Sequence, residues 1–173
     1  MPSGTRIITS DDSGKNWSEP RQVYGGYSCS SPIRELSSGR LVLPLYRETA
    51  STAAGAMGLS DDGGATWRQM AADPARIHNG QGDYSAGVYV DPKNPDIVYT
   101  INTAAYRSVD GGATFTGIKG APGGDDPQQL WIDPTDGRRI LMGLDQGATV
   151  SVDGGATWSS WYNQSTEQLY HLS

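Results

Sequence analysis

Three carboxylates in this chain lie in two glycine-bearing stretches and are of the type that could cleave a sugar linkage. Asp83 lies in the stretch His78 to Tyr84 (HNGQGDY), and Asp125 and Asp126 lie in Gly123 to Gln129 (GGDDPQQ). A pair of carboxylates flanking the scissile bond, one as acid and the other as base or nucleophile, is the usual solution for cleaving a sugar linkage. Asp125 and Asp126 are adjacent and cannot flank a bond as a pair, so Asp83 with Asp126 is the catalytic arrangement to test. The competing reading makes them solvated loop carboxylates or turn caps. His78, Tyr84, Gln128, Trp131 and Arg34 surround these stretches as candidate ligand-binding residues. Trp131, Trp161, Tyr162 and Tyr170 could stack on sugar rings or pack between sheets.

Other chemistries find little support. His78 and His171 are the only histidines and Cys29 the only cysteine, so neither a zinc cluster nor an intrachain disulfide is expected. No nucleophile signature surrounds Cys29, and no Gly-x-x-x-x-Gly-Lys phosphate loop is present. No metal and no cofactor are expected. With 13 basic and 19 acidic side chains the net charge is −6, which repels nucleic-acid backbones. No block of Lys or Arg suits an anionic membrane, and no apolar run approaches the roughly 20 residues of a spanning helix. Met1 to Ser10 lacks the apolar core of a signal peptide, and a single thiol does not indicate a compartment.

The elements that must position these residues come from a repeat. Four octapeptides share Ser-x-Asp-x-Gly-x-(Thr/Asn)-aromatic: SDDSGKNW (Ser10 to Trp17), SDDGGATW (Ser60 to Trp67), SVDGGATF (Ser108 to Phe115) and SVDGGATW (Ser151 to Trp158). Their central aspartates Asp12, Asp62, Asp110 and Asp153 are 50, 48 and 43 residues apart. That period fits one four-stranded propeller blade. Glycine, 23 of 173 residues, supplies the turns. The second unit reads as strands Pro32 to Leu36, Arg40 to Tyr46, Met57 to Ser60 and Trp67 to Met70. The third reads as Gly87 to Asp91, Ile97 to Ile101, Ala104 to Ser108 and Phe115 to Ile118. The fourth reads as Leu130 to Asp133, Arg139 to Gly143, Thr149 to Ser151 and Trp158 to Trp161. Asp91-Pro92 and Asp133-Pro134 mark equivalent turns between first and second strands.

The expected fold is all-β: a β-propeller of four-stranded antiparallel blades, three of them full, with partial ones at each end. The units are 1–24 (half a blade, strands Arg6 to Ser10 and Trp17 to Val23), 25–71, 80–119, 120–161, and 162–173 (one strand, Gln168 to Leu172). Three blades and a remnant do not close a ring, so an open arc is expected, with self-association through its edges as a way to cap them. The stretches Tyr27 to Arg34, His78 to Tyr84 and Gly123 to Gln129 each precede a first strand, which places them on one shared face.

The octapeptide resembles the Asp box, or bacterial neuraminidase repeat, of sialidases and related propellers. That resemblance implies a hairpin between the third and fourth strands of each blade. The Asp accepts backbone N–H bonds inside the turn, the Gly residues permit positive φ, and Trp17, Trp67, Phe115 or Trp158 packs beside its blade. A calcium site needs six to eight converging oxygens, so the box aspartates are read as structural staples. Tyr27 to Trp67 (with SSPIRELSSGRLVLPLY) resembles sialidase-type blades. Gly80 to Ser173 resembles the glycosyl-hydrolase-like and sortilin-type branch. The sialidase catalytic set is not met: Arg6-Ile7-Ile8 is not the family's Arg-Ile-Pro motif, Ser30 stands where its Glu is expected, and Tyr46 stands where its arginine is expected, with Arg47 one residue late. The resemblance therefore implies a carbohydrate-related module, not catalytically complete on its own. The alternative is a non-catalytic propeller scaffold that binds protein or glycan.

Overall fold

The octapeptides fold as hairpin turns, and strands run out from them as the repeat demands. In a computed structural model that describes residues 4–29, 31–49, 51, 53–70, 77, 87–120, 124–160 and 162, every regular element is a β-strand. The elements are β1 (Gly4–Ile7), β2 (Arg21–Gly25), β3 (Ser28–Cys29), β4 (Arg34–Glu35), β5 (Leu41–Glu48), β6 (Ala53–Ser60) and β7 (Arg68–Met70). They continue as β8 (Gly87–Val90), β9 (Val98–Ile101), β10 (Ala105–Ser108), β11 (Thr116–Lys119), β12 (Gln129–Ile132), β13 (Ile140–Leu144) and β14 (Gly147–Ser151).

All pairings are antiparallel and mostly between chain neighbours. They give four sheets: β1-β2; β3 and β4 with β5-β6-β7; β8-β9-β10-β11; and β12-β13-β14. This is an all-β propeller fold, its successive antiparallel sheets following the repeat among the described residues.

Four strand expectations need correction; the expected Arg6 to Ser10 is strand only to Ile7, as part of β1, Gly4–Ile7. Of the expected strand Pro32 to Leu36 only β4, Arg34–Glu35, is strand, and ahead of it β3, Ser28–Cys29, also pairs with β5; Pro32 between the two has no N–H for the ladder. The fourth-strand readings Trp17 to Val23 and Trp158 to Trp161 are not strands at their starts. In both places a serine replaces strand pairing. Ser18 N donates to Thr9 O (2.8 Å) while Thr9 N donates to Ser18 Oγ (3.0 Å). Ser159 N likewise donates to Val150 O (2.8 Å) while Val150 N donates to Ser159 Oγ (2.9 Å). Trp161 and the expected strand Gln168 to Leu172 lie outside the described residues.

Alternation along each strand builds a core between successive sheets rather than inside any one of them. Leu43, Leu45 and Ala56 meet Val23, Tyr24, Tyr27 and Trp67. Val42, Met57 and Leu59 meet Val88, Val98 and Phe115. Tyr99, Ile101 and Ala105 meet Leu130, Ile140 and Met142. Each sheet is thus buried by its neighbour, the arrangement expected of blades round an axis.

The boxes follow one backbone recipe, with φ near 70° and then 90° at Gly63-Gly64, Gly111-Gly112 and Gly154-Gly155. In the first box Ser13 takes the first position at φ 61°. A side chain there costs about 1 kcal/mol that the other boxes avoid. Ser13→Gly is therefore expected to raise the melting temperature by about 2–4 °C, measured by calorimetry against the parent chain.

Candidate functional site

Each box aspartate is saturated by its own loop. Asp62 accepts from Ser60 Oγ (2.7 Å), Thr66 N (2.8 Å) and Thr66 Oγ1 (2.5 Å). Asp110 and Asp153 repeat these bonds with Ser108 and Thr114, and with Ser151 and Thr157. In the first box Asn16 takes the threonine's place, its Nδ2 donating to Asp12 Oδ2 at 2.6 Å. These donors hold all four carboxyls near a pKa of about 2. The backbone N–H of Asn16, ahead of its side-chain amide, dominates for Asp12, and the threonine hydroxyl for Asp62 and Asp153. At Asp110 desolvation pulls the other way and is outweighed by Thr114 and Ser108. A carboxyl depressed on folding stabilises the fold fully above its unfolded pKa of about 4, and that contribution fades as pH falls through the folded value. Acid unfolding followed by circular dichroism should therefore begin below about pH 4 and continue towards pH 2; loss of structure above pH 5 would contradict this.

One bond in the box was not foreseen. The indole Nε1 of Trp17, Trp67 and Trp158 donates to the carbonyl of the second turn residue, Gly14, Gly64 or Gly155, at 3.0–3.1 Å. Phe115 has no such donor, and the preference for Trp over Phe in three boxes was the available signal. Trp67, Phe115 and Trp158 also pack into the inter-sheet cores, whereas Trp17 remains 59% exposed. Arg21 reaches from the first sheet to the Ala65 carbonyl (3.0 Å) and the Gly64 carbonyl, tying one unit to the next unit's box.

The box turns and the first-to-second-strand turns share one end of the sheets, since Gly111 N donates to Asp96 O and Gly154 N to Arg138 O, both at 2.9 Å. The stretch 124–129 lies at the other end, bound to the turn between β13 and β14. Gln128 Nε2 donates to Asp145 Oδ1 (3.1 Å) and Asp125 N to Gln146 Oε1 (3.2 Å), while Gln146 Nε2 donates to Asp125 Oδ1. Asp125 thus has a loop-pinning role. Its neighbour Asp126 is half-buried with φ 46°, a conformation that Asp tolerates better than most residues. His78, Asp83 and Tyr84 lie outside the described residues, as do Tyr170 and His171.

Where the first strands of three successive sheets converge, a cleft of about 340 Å³ opens, lined by Arg34, Glu35, Val88, Tyr89, Pro92 and Trp131, among others. Two sequence candidates, Arg34 and Trp131, line it; Gln128 precedes the same strand β12. Glu35, Tyr89 and Pro92 were missed, because the cleft arises from strands whose starts, Arg34, Gly87 and Gln129, are far apart in the chain. Burial pushes the Tyr89 phenol pKa upward against the opposing pull of a Leu130 backbone bond and the Arg34 charge, so it stays a neutral hydroxyl at neutral pH. The cleft therefore offers one cation, one carboxylate, one phenol and an apolar wall. Outside it, Arg47 sits 5.2 Å from the ring centroid of Tyr27, and Cys29 donates to Ser31 O (2.8 Å) with its thiol pKa pushed up by desolvation.

Four saturated Asp-box turns on consecutive antiparallel sheets define a sialidase-like Asp-box β-propeller. Residues 2–169 match the BNR repeat-like domain, and the chain belongs to that family. Comparison with curated proteins gives no match. Among solved structures, the intramolecular trans-sialidase from Ruminococcus gnavus aligns over 94% of this chain and 41% of its own, with 21% identity and a TM-score of 0.55. The leech intramolecular trans-sialidase aligns over 84% and 25%, with 23% identity and a TM-score of 0.53. A xyloglucanase from Xanthomonas campestris aligns over 72% and 22%, with 17% identity and a TM-score of 0.53. These likenesses are ones of fold, and this chain spans well under half the length of each of the three.

Proposed function

We propose that this chain is a carbohydrate-related Asp-box module that binds a sugar without turning it over on its own. The cleft at the convergence of β4, β8 and β12 carries this reading. Arg34 and Glu35 can hydrogen-bond ring hydroxyls, and Trp131, 47% exposed beside them, provides an apolar ring face. The relatives in fold act on sialosides or xyloglucan, and this reading borrows only their substrate class. The departures from the sialidase set at Ser30 and Tyr46, together with the engagement of Asp125 by Gln146, support binding without catalysis.

Fluorogenic sialosides and xyloglucan oligosaccharides should show no turnover, while titration calorimetry with the same sugars should detect binding. Trp131→Ala is expected to weaken that binding by about 3–10-fold, the value of one aromatic face. Turnover lost on Asp126→Asn would replace this reading with the catalytic Asp83–Asp126 pair.

A further inference from the structure

At two places a cation on an outer strand faces the box of the next unit, with different results. Arg21 stands eleven residues beyond the box serine Ser10, and Lys119 stands eleven beyond Ser108. Arg21 closes its gap, because its forked guanidinium reaches the carbonyls of both Gly64 and Ala65. Lys119 carries a compact ammonium and makes no such bond. Beside it a cleft of about 520 Å³ stays open, with Gly117, Ile118, Lys119 and Gly120 on one wall and Ala156, Thr157 and Trp158 on the other. Lys119 is half-buried, and among the described residues its amine has neither a hydrogen bond nor an ion pair. Burial pushes its pKa below the ordinary lysine value, with no charge acting against it.

This cleft is separate from the one that carries the sugar reading. That one lies along β8 and β12, whereas this one lies along β11, at the opposite edge of the sheet β11-β10-β9-β8. Both of its walls belong to described residues of consecutive units.

We propose that this cleft docks an extended, acidic peptide segment of a partner protein, which runs along β11 and sets a carboxylate on Lys119. Three observations select that occupant. First, β11 is the last strand of its sheet, so alternate backbone N–H and C=O groups face outward and meet no strand among the described residues. Second, Gly117 and Gly120 put no side chain into the cleft, which lets a second backbone come close. A sugar would use neither feature. Third, Lys119 sets the sign of the partner. In a molecule of net charge −6 it is a local cation partly stripped of water, and a carboxylate replaces what it has lost. A lysine that only guarded the sheet edge would stand in bulk water. The Trp158 ring on the opposite wall offers an apolar surface to the peptide's neighbouring side chain. The contact is small, so the complex is weak, with a Kd on the order of 100 μM.

An NMR titration of the full chain with an acetylated Gly-Val-Glu-Val-Gly amide, up to about 1 mM, tests this. Amide shifts should concentrate at Gly117, Gly120 and Trp158. The peptide with Gln in place of Glu should bind at least about 10-fold more weakly, the value of a charge-assisted bond. Lys119→Met should weaken binding by the same factor, while Lys93→Met, at an exposed lysine, should leave it unchanged. Trp131→Ala, which disables the sugar cleft, should also leave it unchanged. Should Lys119→Met disturb the fold, the unmodified chain still decides. Of its three lysines, Lys15, Lys93 and Lys119, the peptide should slow acylation by acetic anhydride at Lys119 alone. Absence of shifts at the highest concentration, equal binding of the Glu and Gln peptides, or shifts centred on the Trp131 cleft would each overturn the proposal.

Discussion

Gly137→Ala should destabilise the fold by about 3 kcal/mol, lowering the melting temperature by about 6–12 °C. The cause is steric. A methyl on Gly137 would sit 2.0 Å from Asp91 Oδ2 and 2.5 Å from its Cγ. Asp91 is only 8% exposed and cannot swing away cheaply, because its Oδ1 accepts from Lys93 N (2.7 Å) and Asn94 N (3.1 Å). Displacing it adds unsatisfied amides to the overpacking. The contact joins the strand turn of one unit to that of the next, so the damage falls on the stacking of blades. Gly26→Ala is the control: its added methyl meets nothing within 4 Å, and only its φ of 73° makes alanine costly, by about 1 kcal/mol. In an Asp91→Ser background the Gly137→Ala penalty should shrink markedly, as expected for residues in direct contact. An unchanged penalty there, read from urea unfolding, would refute the collision.

Ser151→Ala should cost about 1–3 kcal/mol, while Ser10→Ala should cost about 0.5 kcal/mol, although both remove the same hydroxyl from the same motif. Ser151 is 1% exposed, and its Oγ accepts the buried Gly155 N–H at 2.8 Å while donating to Asp153 Oδ1 at 2.8 Å. Deleting it leaves a buried donor with no acceptor. The matching Gly14 N–H, 2.8 Å from Ser10 Oγ, is exposed, and water replaces the lost partner. Equal losses in the two variants by chemical denaturation would show that burial by the neighbouring unit does not control the worth of the staple.

Much of the fold was legible because it is local. The Gly pairs, the box Asp and the following Thr act within five residues, and the Asp-Pro turns at Asp91 and Asp133 are visible in the same way. The first strand of the second unit was misread because alternation in Pro32 to Leu36 looks strand-like until the missing proline donor is counted. Contacts such as Gly137 on Asp91, or Arg21 on Gly64, join different units, and no local pattern announces them. The site divides likewise. Arg34 and Trp131 could be named by residue type and place, but Tyr89 and Glu35 join them only once three first strands are brought side by side.

The segregation of the two ends has a consequence for how such a chain can diversify. The staples and their Gly and Trp residues crowd one rim, while the connections entering the first strands, of different lengths from Met70 to Gly87 and from Lys119 to Gln129, begin at the other. Insertions and substitutions at that second rim can accumulate without disturbing a single box. The scaffold can thus acquire new recognition loops under mutation while its stability is guarded elsewhere.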